Sequence, residues 1–233
     1  MPPLIAQIAK RLLLPVTVLF GVMVGLGLLV TRVVDHAWPL TVEDDVNRSF
    51  EANRDGPLNV ISEIVSLIGS TPVIIAVTGV VAAIVYLKLH RWREPLFLCL
   101  GVMAQALVFF FTTLVINRDR PAVHRMDDSP PTSSFPSGHT SAAVALYVGM
   151  AVLFFTLLKR TWAKRLIWLL VLIPIGVATA RLYRGMHHPT DVTASFFNGI
   201  TCVVIMAREV LNRAVQWAVP ERLRPGLGRR VAH

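Results

Sequence analysis

Charge is scarce in this sequence. Asp, Glu, Lys and Arg make up 16% of its 233 residues, against roughly 25% in an average soluble domain. A soluble domain of this length would bury a full core but would also need a polar surface, and the chain lacks the charges to build one. Cysteine is nearly missing as well. Cys99 and Cys202 sit inside apolar runs without CxxC spacing, which argues against a disulfide framework or a zinc site and for two small buried hydrophobes. No internal repeat or low-complexity segment is evident. The net charge of +9 comes without a basic stripe interleaved with aromatics, so it is not a nucleic-acid signal.

What the chain has instead is apolar length. Charge-free stretches run over 12–30, 64–87, 95–117, 140–158, 166–180 and 192–207. The first four meet the ~20 residues that a bilayer core requires. The last two do so only if their helices continue into the charged segment Arg181 to Asp191, which places those charges at the membrane edge, facing the bundle interior. The runs are apolar all round rather than striped, as membrane helices are. The expectation is an all-α integral membrane bundle of six transmembrane helices, one domain over 1–233. Pro15 and Pro174 are expected to kink the first and fifth helices. Lys10-Arg11 precede an apolar run with no A-x-A-like site after it, so this start reads as a retained signal anchor. Residues 31–63 are polar, and "LNVISEIVSLIG" from Leu58 reads as an interfacial amphipathic helix. Residues 212–233 read as a basic cytoplasmic tail.

Orientation follows from where the basic residues fall. Fifteen of the 23 lie in the N-terminus, the loops after the second and fourth spans, and the tail, accompanied there by Glu94, Glu209 and Glu221. Both termini are therefore expected on the cytoplasmic side of a cell membrane, with the other end of the bundle outside.

That outer end carries the chemistry. Arg118-Asp119-Arg120-Pro121 closes the third span, a loop over 122–135 follows, and Pro136-Ser137-Gly138-His139 opens the fourth helix. A helix N-terminus after such a turn offers free amides to an anion. The fifth helix delivers Arg181, the chain turns at Gly185, and Pro189 suits the first position of the sixth helix. Asp191 then falls in its first turn with His187 just outside, an arrangement that lets Asp191 accept the Nδ1 proton of His187 and leaves Nε2 as a nucleophile. Two histidines, two arginines and a helix N-terminus around one anion-sized volume are the set that in-line phosphoryl transfer needs. No carboxylate pair or histidine cluster has metal-ligand spacing, so the reading is metal-independent and cofactor-free. His188 reads as a pocket wall, His124 and Arg125 as solvated, His36 and His90 as interfacial, and the tryptophans as an aromatic belt. Phe109-Phe110-Phe111 reads as lipid-facing packing.

Three clusters in order resemble the type 2 phosphatidic acid phosphatase superfamily, which includes bacterial isoprenyl-diphosphate phosphatases, glucose-6-phosphatase and vanadium haloperoxidases. Arg120-Pro121 match the end of its first motif, Pro136 to His139 its second in full, and Arg181, His187 and Asp191 its third in register. The resemblance implies that His187 attacks phosphorus, Asp191 orients it, and His139 protonates the leaving oxygen and then activates water. Arg120, Arg181, Ser137 and Gly138 would hold the phosphate. Two positions depart from the pattern: Thr113 stands where the family has lysine, and Ala180 where it has serine. Arg184 is expected to compensate for Thr113; Arg118 is the weaker candidate, rotated away from position 113 on a continuing helix. The implied activity is a lipid phosphatase acting on a phosphate monoester or an isoprenyl diphosphate through a phosphohistidine. A lipid phosphotransferase and a non-catalytic phosphate-lipid binding or transport protein are the alternatives. A haloperoxidase is disfavoured because the vanadium enzymes are soluble.

Overall fold

The computed structural model describes residues 9–33, 40–128 and 132–211. The tail beyond Leu211, His36, Trp38 and the centre of the 122–135 loop lie outside the described residues, and so do the expectations placed on them. Six helices are long and apolar enough to cross a membrane: α1 (Lys10–Val33), α4 (Thr71–Leu89), α5 (Arg93–Val115), α6 (Gly138–Leu157), α7 (Thr161–Tyr183) and α8 (Pro189–Leu211). Between α1 and α4 lie two shorter helices, α2 (Glu43–Ala52) and α3 (Gly56–Ile68). The described residues contain no strand.

Small residues decide which helix is central. α6 has 61% of its apolar window buried, against 17% for α1 and α4. Its first half carries Gly138, Ser141, Ala142, Ala143 and Ala145, which let neighbouring backbones approach where no hydrophobic effect drives helices together. α8 answers with Gly199. A Cβ there would sit 2.6 Å from Val144 Cβ and 2.9 Å from the Ser141 carbonyl oxygen. The interior is also polar in places. Ser141 Oγ donates to Gln105 Oε1 at 2.8 Å, and Asn198 Nδ2 to the Gln105 carbonyl at 3.4 Å, joining α5, α6 and α8. Large apolar side chains such as Ile75, Leu87, Leu114 and Leu166 point outward, as they must against lipid.

The fifth and sixth spans extend as expected, to Tyr183 and from Pro189, and Arg181 and Asp191 are buried inside them. A 3-10 turn over Trp168–Val171 precedes Pro174 in α7, and Pro15 marks the change from a π-helical turn to regular α-helix in α1. The second span differs from the expected 64–87. The chain breaks at Gly69–Ser70, so the crossing begins at Thr71. Gly69 permits the break to sit against α6, since a Cβ there would lie 3.1 Å from the His139 carbonyl oxygen and 2.7 Å from Val177.

α3 is amphipathic in the inverted sense. Ser62 and Ser66 are buried and Asn59 faces the same way, while Val60, Ile61, Ile64 and Leu67 are exposed. It therefore lines the interior with polar groups rather than only resting on an interface. α2 was read as part of a polar segment; it is a helix whose buried Glu43 and Asn47, one turn apart, face the bundle.

Replacing Gly199 by Ala is expected to destabilise the protein by about 1–3 kcal/mol through overpacking. Gly79→Ala in α4, where nothing lies within 4 Å, is expected to stabilise it slightly. Thermal unfolding in detergent measures both.

Candidate active site

The start of α8 anchors the site. His188 is its N-cap and Pro189 its first residue, and the buried Asp191 carboxylate turns back to accept from the His188 main-chain N–H at 2.8 Å. Its other oxygen accepts from Arg118 Nη1. Arg118 also donates to Thr190 Oγ1 at 2.7 Å and, through Nη2, to Glu43 Oε2 at 2.6 Å, while Glu43 Oε1 accepts from the Thr190 N–H at 2.7 Å. One guanidinium thus bridges two carboxylates from α2 and α8 with charge-assisted bonds. The expectation that Arg118 is rotated away fails because α5 ends at Val115: Ile116 is extended (φ −97°, ψ 122°), so helical rotation stops before Arg118.

His187 is 4% exposed. Its Nδ1 lies 2.7 Å from the Ser134 carbonyl oxygen, whereas Asp191 Oδ2 is 3.8 Å away. The expected Nδ1–Asp191 bond is therefore replaced by one to the main chain of the preceding loop. A carbonyl can only accept, so Nδ1 carries the proton and Nε2 keeps its lone pair. Burial pushes the imidazole below its ordinary value, against the opposing pull of Asp191. The turn itself is pinned by Asn47 Nδ2 on the His187 carbonyl at 3.1 Å and by Arg120 Nη1 on the Met186 carbonyl at 2.7 Å.

The PSGH segment opens α6 as expected, with a division of roles the sequence did not show. Ser137 is the N-cap: its Oγ accepts from the Thr140 N–H at 3.4 Å, and its own N–H donates to Ser195 Oγ at 2.7 Å. Ser137 is fully buried, and its Oγ also lies 3.0 Å from Thr140 Oγ1. The amides of Gly138 and His139 are left without a protein acceptor among the described residues, as the first turn of a helix leaves them. Phe109 packs directly on Gly138, with a ring carbon 2.8 Å from where a Cβ would be; Phe110 and Phe111 remain about half exposed, lipid-facing as expected. The half-buried His139 lies within electrostatic range of Arg181, His187, Asp127 and Arg120.

Arg181 and Arg184 are both 5% exposed. Arg181 Nη1 donates to Ser66 Oγ at 3.0 Å and to Asp127 Oδ2 at 2.6 Å. Arg184 donates through Nε to Asp127 Oδ1 at 2.7 Å, and through its other nitrogens to the Asn59 and Met126 carbonyls, Ser62 Oγ and Asp127. The guanidinium of Arg184 is thus within the cluster, but its donors tie α3 and the loop to the end of α7. Arg120 is half-buried, and desolvation draws it below its ordinary value without discharging it. The Thr113 hydroxyl donates back to the Phe110 carbonyl at 2.7 Å, on an exposed part of α5. Among the described residues no group of three or more His, Cys, Asp or Glu side chains is placed to hold a metal ion.

The PAP2 superfamily model matches residues 94–214, more than half of the chain. The fold is similar to that of a transmembrane PAP2-type phosphatidylglycerolphosphate phosphatase from Bacillus subtilis, with a TM-score of 0.74 and 19% identity over 86% of this chain and 97% of that one. Aquifex aeolicus LpxE aligns with a TM-score of 0.55 and 23% identity over 72% of this chain and 95% of that one. No curated protein sequence matches. The family and the membrane fold are those of enzymes of the phosphoric-ester hydrolase class. The chain belongs to the PAP2 superfamily.

Removing Arg118 leaves Glu43 and Asp191 facing each other without a cation. Arg118→Ala is expected to cost about 3–5 kcal/mol, the range for a broken buried pair, read as lowered unfolding stability in detergent; Arg118→Lys recovers only part, because one ammonium cannot fork. The lowered His187 value sets a pH sign as well. Chemistry that needs the neutral ring is lost as pH falls through the folded pKa, which lies below 6.5, so the acid limb of kcat/KM is expected to be centred below pH 6.5. An acid limb centred at 6.5 or above contradicts this.

Proposed function

We propose that this chain is a metal-independent lipid phosphatase that works through a phosphohistidine on His187. The observation that carries the reading is His187 itself: neutral, its Nδ1 fixed on Ser134, and within electrostatic reach of Arg120, Arg181 and His139, whose helix opens with two unclaimed amides. His187 Nε2 attacks phosphorus while the bond to the leaving oxygen breaks and His139 gives that oxygen a proton. His139 then takes a proton from water as the water attacks the phosphohistidine, releasing phosphate and restoring His187. Arg120, Arg181 and the amides of Gly138 and His139 stabilise the equatorial oxygens. Asp191 acts through the His187–His188 turn rather than by a direct Nδ1 bond.

The substrate class is a lipid phosphate monoester or an isoprenyl diphosphate, with phosphatidic acid and undecaprenyl diphosphate as the leading types. A pocket at the bundle end lets a lipid present its headgroup while its tail stays in the bilayer, and the Bacillus protein of similar fold is a phosphatase of such a lipid. The basic loops after α4 and α6 lie at the opposite end, where Arg93 Nε donates to the Val210 carbonyl at 2.7 Å and joins the first of those loops to the end of α8. By the distribution of basic residues, that end is cytoplasmic and the site faces outward across the cell membrane.

Purified protein in detergent is expected to release phosphate from a panel of lipid phosphates in excess chelator, sensitively to vanadate, with an acid-quenched phosphoenzyme. His187→Ala is expected to lose both, with turnover falling on the order of 10³-fold or more. Label passing to an added alcohol instead of water identifies a phosphotransferase, and no release from any lipid phosphate identifies a binding protein.

A further inference from the structure

The loop after α5 brings its own anion into the arginine cluster. Asp127 Oδ2 accepts from Arg181 Nη1 at 2.6 Å, and Oδ1 accepts from Arg184 Nε at 2.7 Å and from Nη2. Two carboxylate oxygens take guanidinium donors with the same spacing as two oxygens of a phosphate. Desolvation draws the Asp127 carboxyl up, but Arg184 and Arg181 outweigh it and hold it below the usual range, so it is an anion at neutral pH. The partners differ in exposure: the arginine side chains are 6% exposed, the aspartate 24%. The arginines are locked in protein while the carboxylate has a path to water. Arg181 also keeps a buried Nε with no partner, a donor Asp127 leaves unmet. Asp127 and His139 lie close enough for their charges to interact.

We propose that Asp127 is a specificity-determining residue: a resident carboxylate that holds part of the phosphate subsite on Arg181 and Arg184 and yields it to a dianionic phosphate but not to a phosphodiester. This rests on the lipid phosphatase reading and sharpens its substrate class. The surrounding bilayer is full of phosphodiester headgroups carrying one negative charge, the same as Asp127, so exchanging one for the other gains no charge. A phosphate monoester carries about −1.5 to −2 at pH 7. It gains Coulombic attraction on displacing the carboxylate and adds an oxygen for Arg181 Nε.

The test uses the full chain in detergent, with Asp127→Asn, Asp127→Ser and Asp127→Glu beside wild type. Calorimetry gives the dissociation constants of inorganic phosphate and orthovanadate, and mixed micelles give inhibition by phosphatidylglycerol, a phosphodiester. Asp127→Asn and Asp127→Ser are expected to bind phosphate about tenfold more tightly and to become inhibitable by phosphatidylglycerol; Asp127→Glu stays near wild type. Unchanged or weaker phosphate binding in the neutral variants overturns the proposal and makes Asp127 a support for the arginines. Should both neutral variants fail to fold, infrared difference spectra of wild type labelled with ¹³C-aspartate decide. A carboxylate band shifted by phosphate supports displacement, and no shift overturns it. If wild type turns over no lipid phosphate while Asp127→Asn still binds phosphate more tightly, the hydrolase reading fails and this one stands; turnover with unchanged binding sinks this one alone.

Discussion

A fully buried carboxylate at the start of α8 is the constraint on which the rest depends. Asp191 can remain charged at that depth only because Arg118, the His188 N–H and the helix N-terminus surround it. Each requirement fixes another part of the molecule. Arg118 must leave α5 and cross to α8, so α5 ends at Val115 and the chain extends. The second charge of the bridge comes from Glu43, so α2 must return from α1 to cover the site. His188 must cap the helix, which puts His187 one residue outside it and turns its ring towards Ser134. The geometry of the His187 ring is thus set by how one anion is kept solvated by protein.

The same demand explains the two helices outside the six spans. Arginines beside lipid need donors and acceptors that lipid cannot give. α3 supplies them with Asn59, Ser62 and Ser66 turned inward and its apolar side turned out. α2 supplies Glu43 and Asn47, and Arg54 beyond its end donates to the Tyr183 and His124 carbonyls. Both helices are polar scaffolding around the charged end of α7 and the turn that follows, where Gly185 adopts φ +70°.

The six spans were legible in the sequence because charge-free length is a property of composition alone. So were the opening of α6 at Pro136 to His139, Pro189 at the head of α8 and the inward burial of Arg181, since each follows from a residue and its immediate neighbours. The partners of those residues were less legible. Whether Nδ1 of His187 met Asp191 or Ser134 depended on a loop folding over it from about fifty positions away. Arg118 was misread because a helical wheel was carried past the end of a helix, although "INRDRP" held the signal: an extended exit to a proline after an apolar run. Asn59, Ser62 and Ser66 stand three and four apart, and that polar stripe in an apolar segment could have named α3 as a lining helix. Asp127 had no such signal, since it is one of two aspartates in a polar loop.

The four arginines around the site divide into two kinds by what faces them. Arg118 meets two carboxylates and is overcompensated, so it draws no further anion; its effect is geometric. Arg181 and Arg184 share the single carboxylate of Asp127, while Arg120 is bonded to the Met186 carbonyl and has Asp191 as its nearby anion, which leaves positive charge at one end of a low-dielectric bundle, where field lines are focused. That surplus persists although Thr113 provides no cation and Arg184 is largely engaged with α3. Under the proposed function, that surplus would draw an anionic headgroup towards Arg120 and Arg181. Under the same reading, Thr113 in place of a lysine would lower how strongly this field holds a phosphate, and Arg120 and Arg181 would still set where it is held.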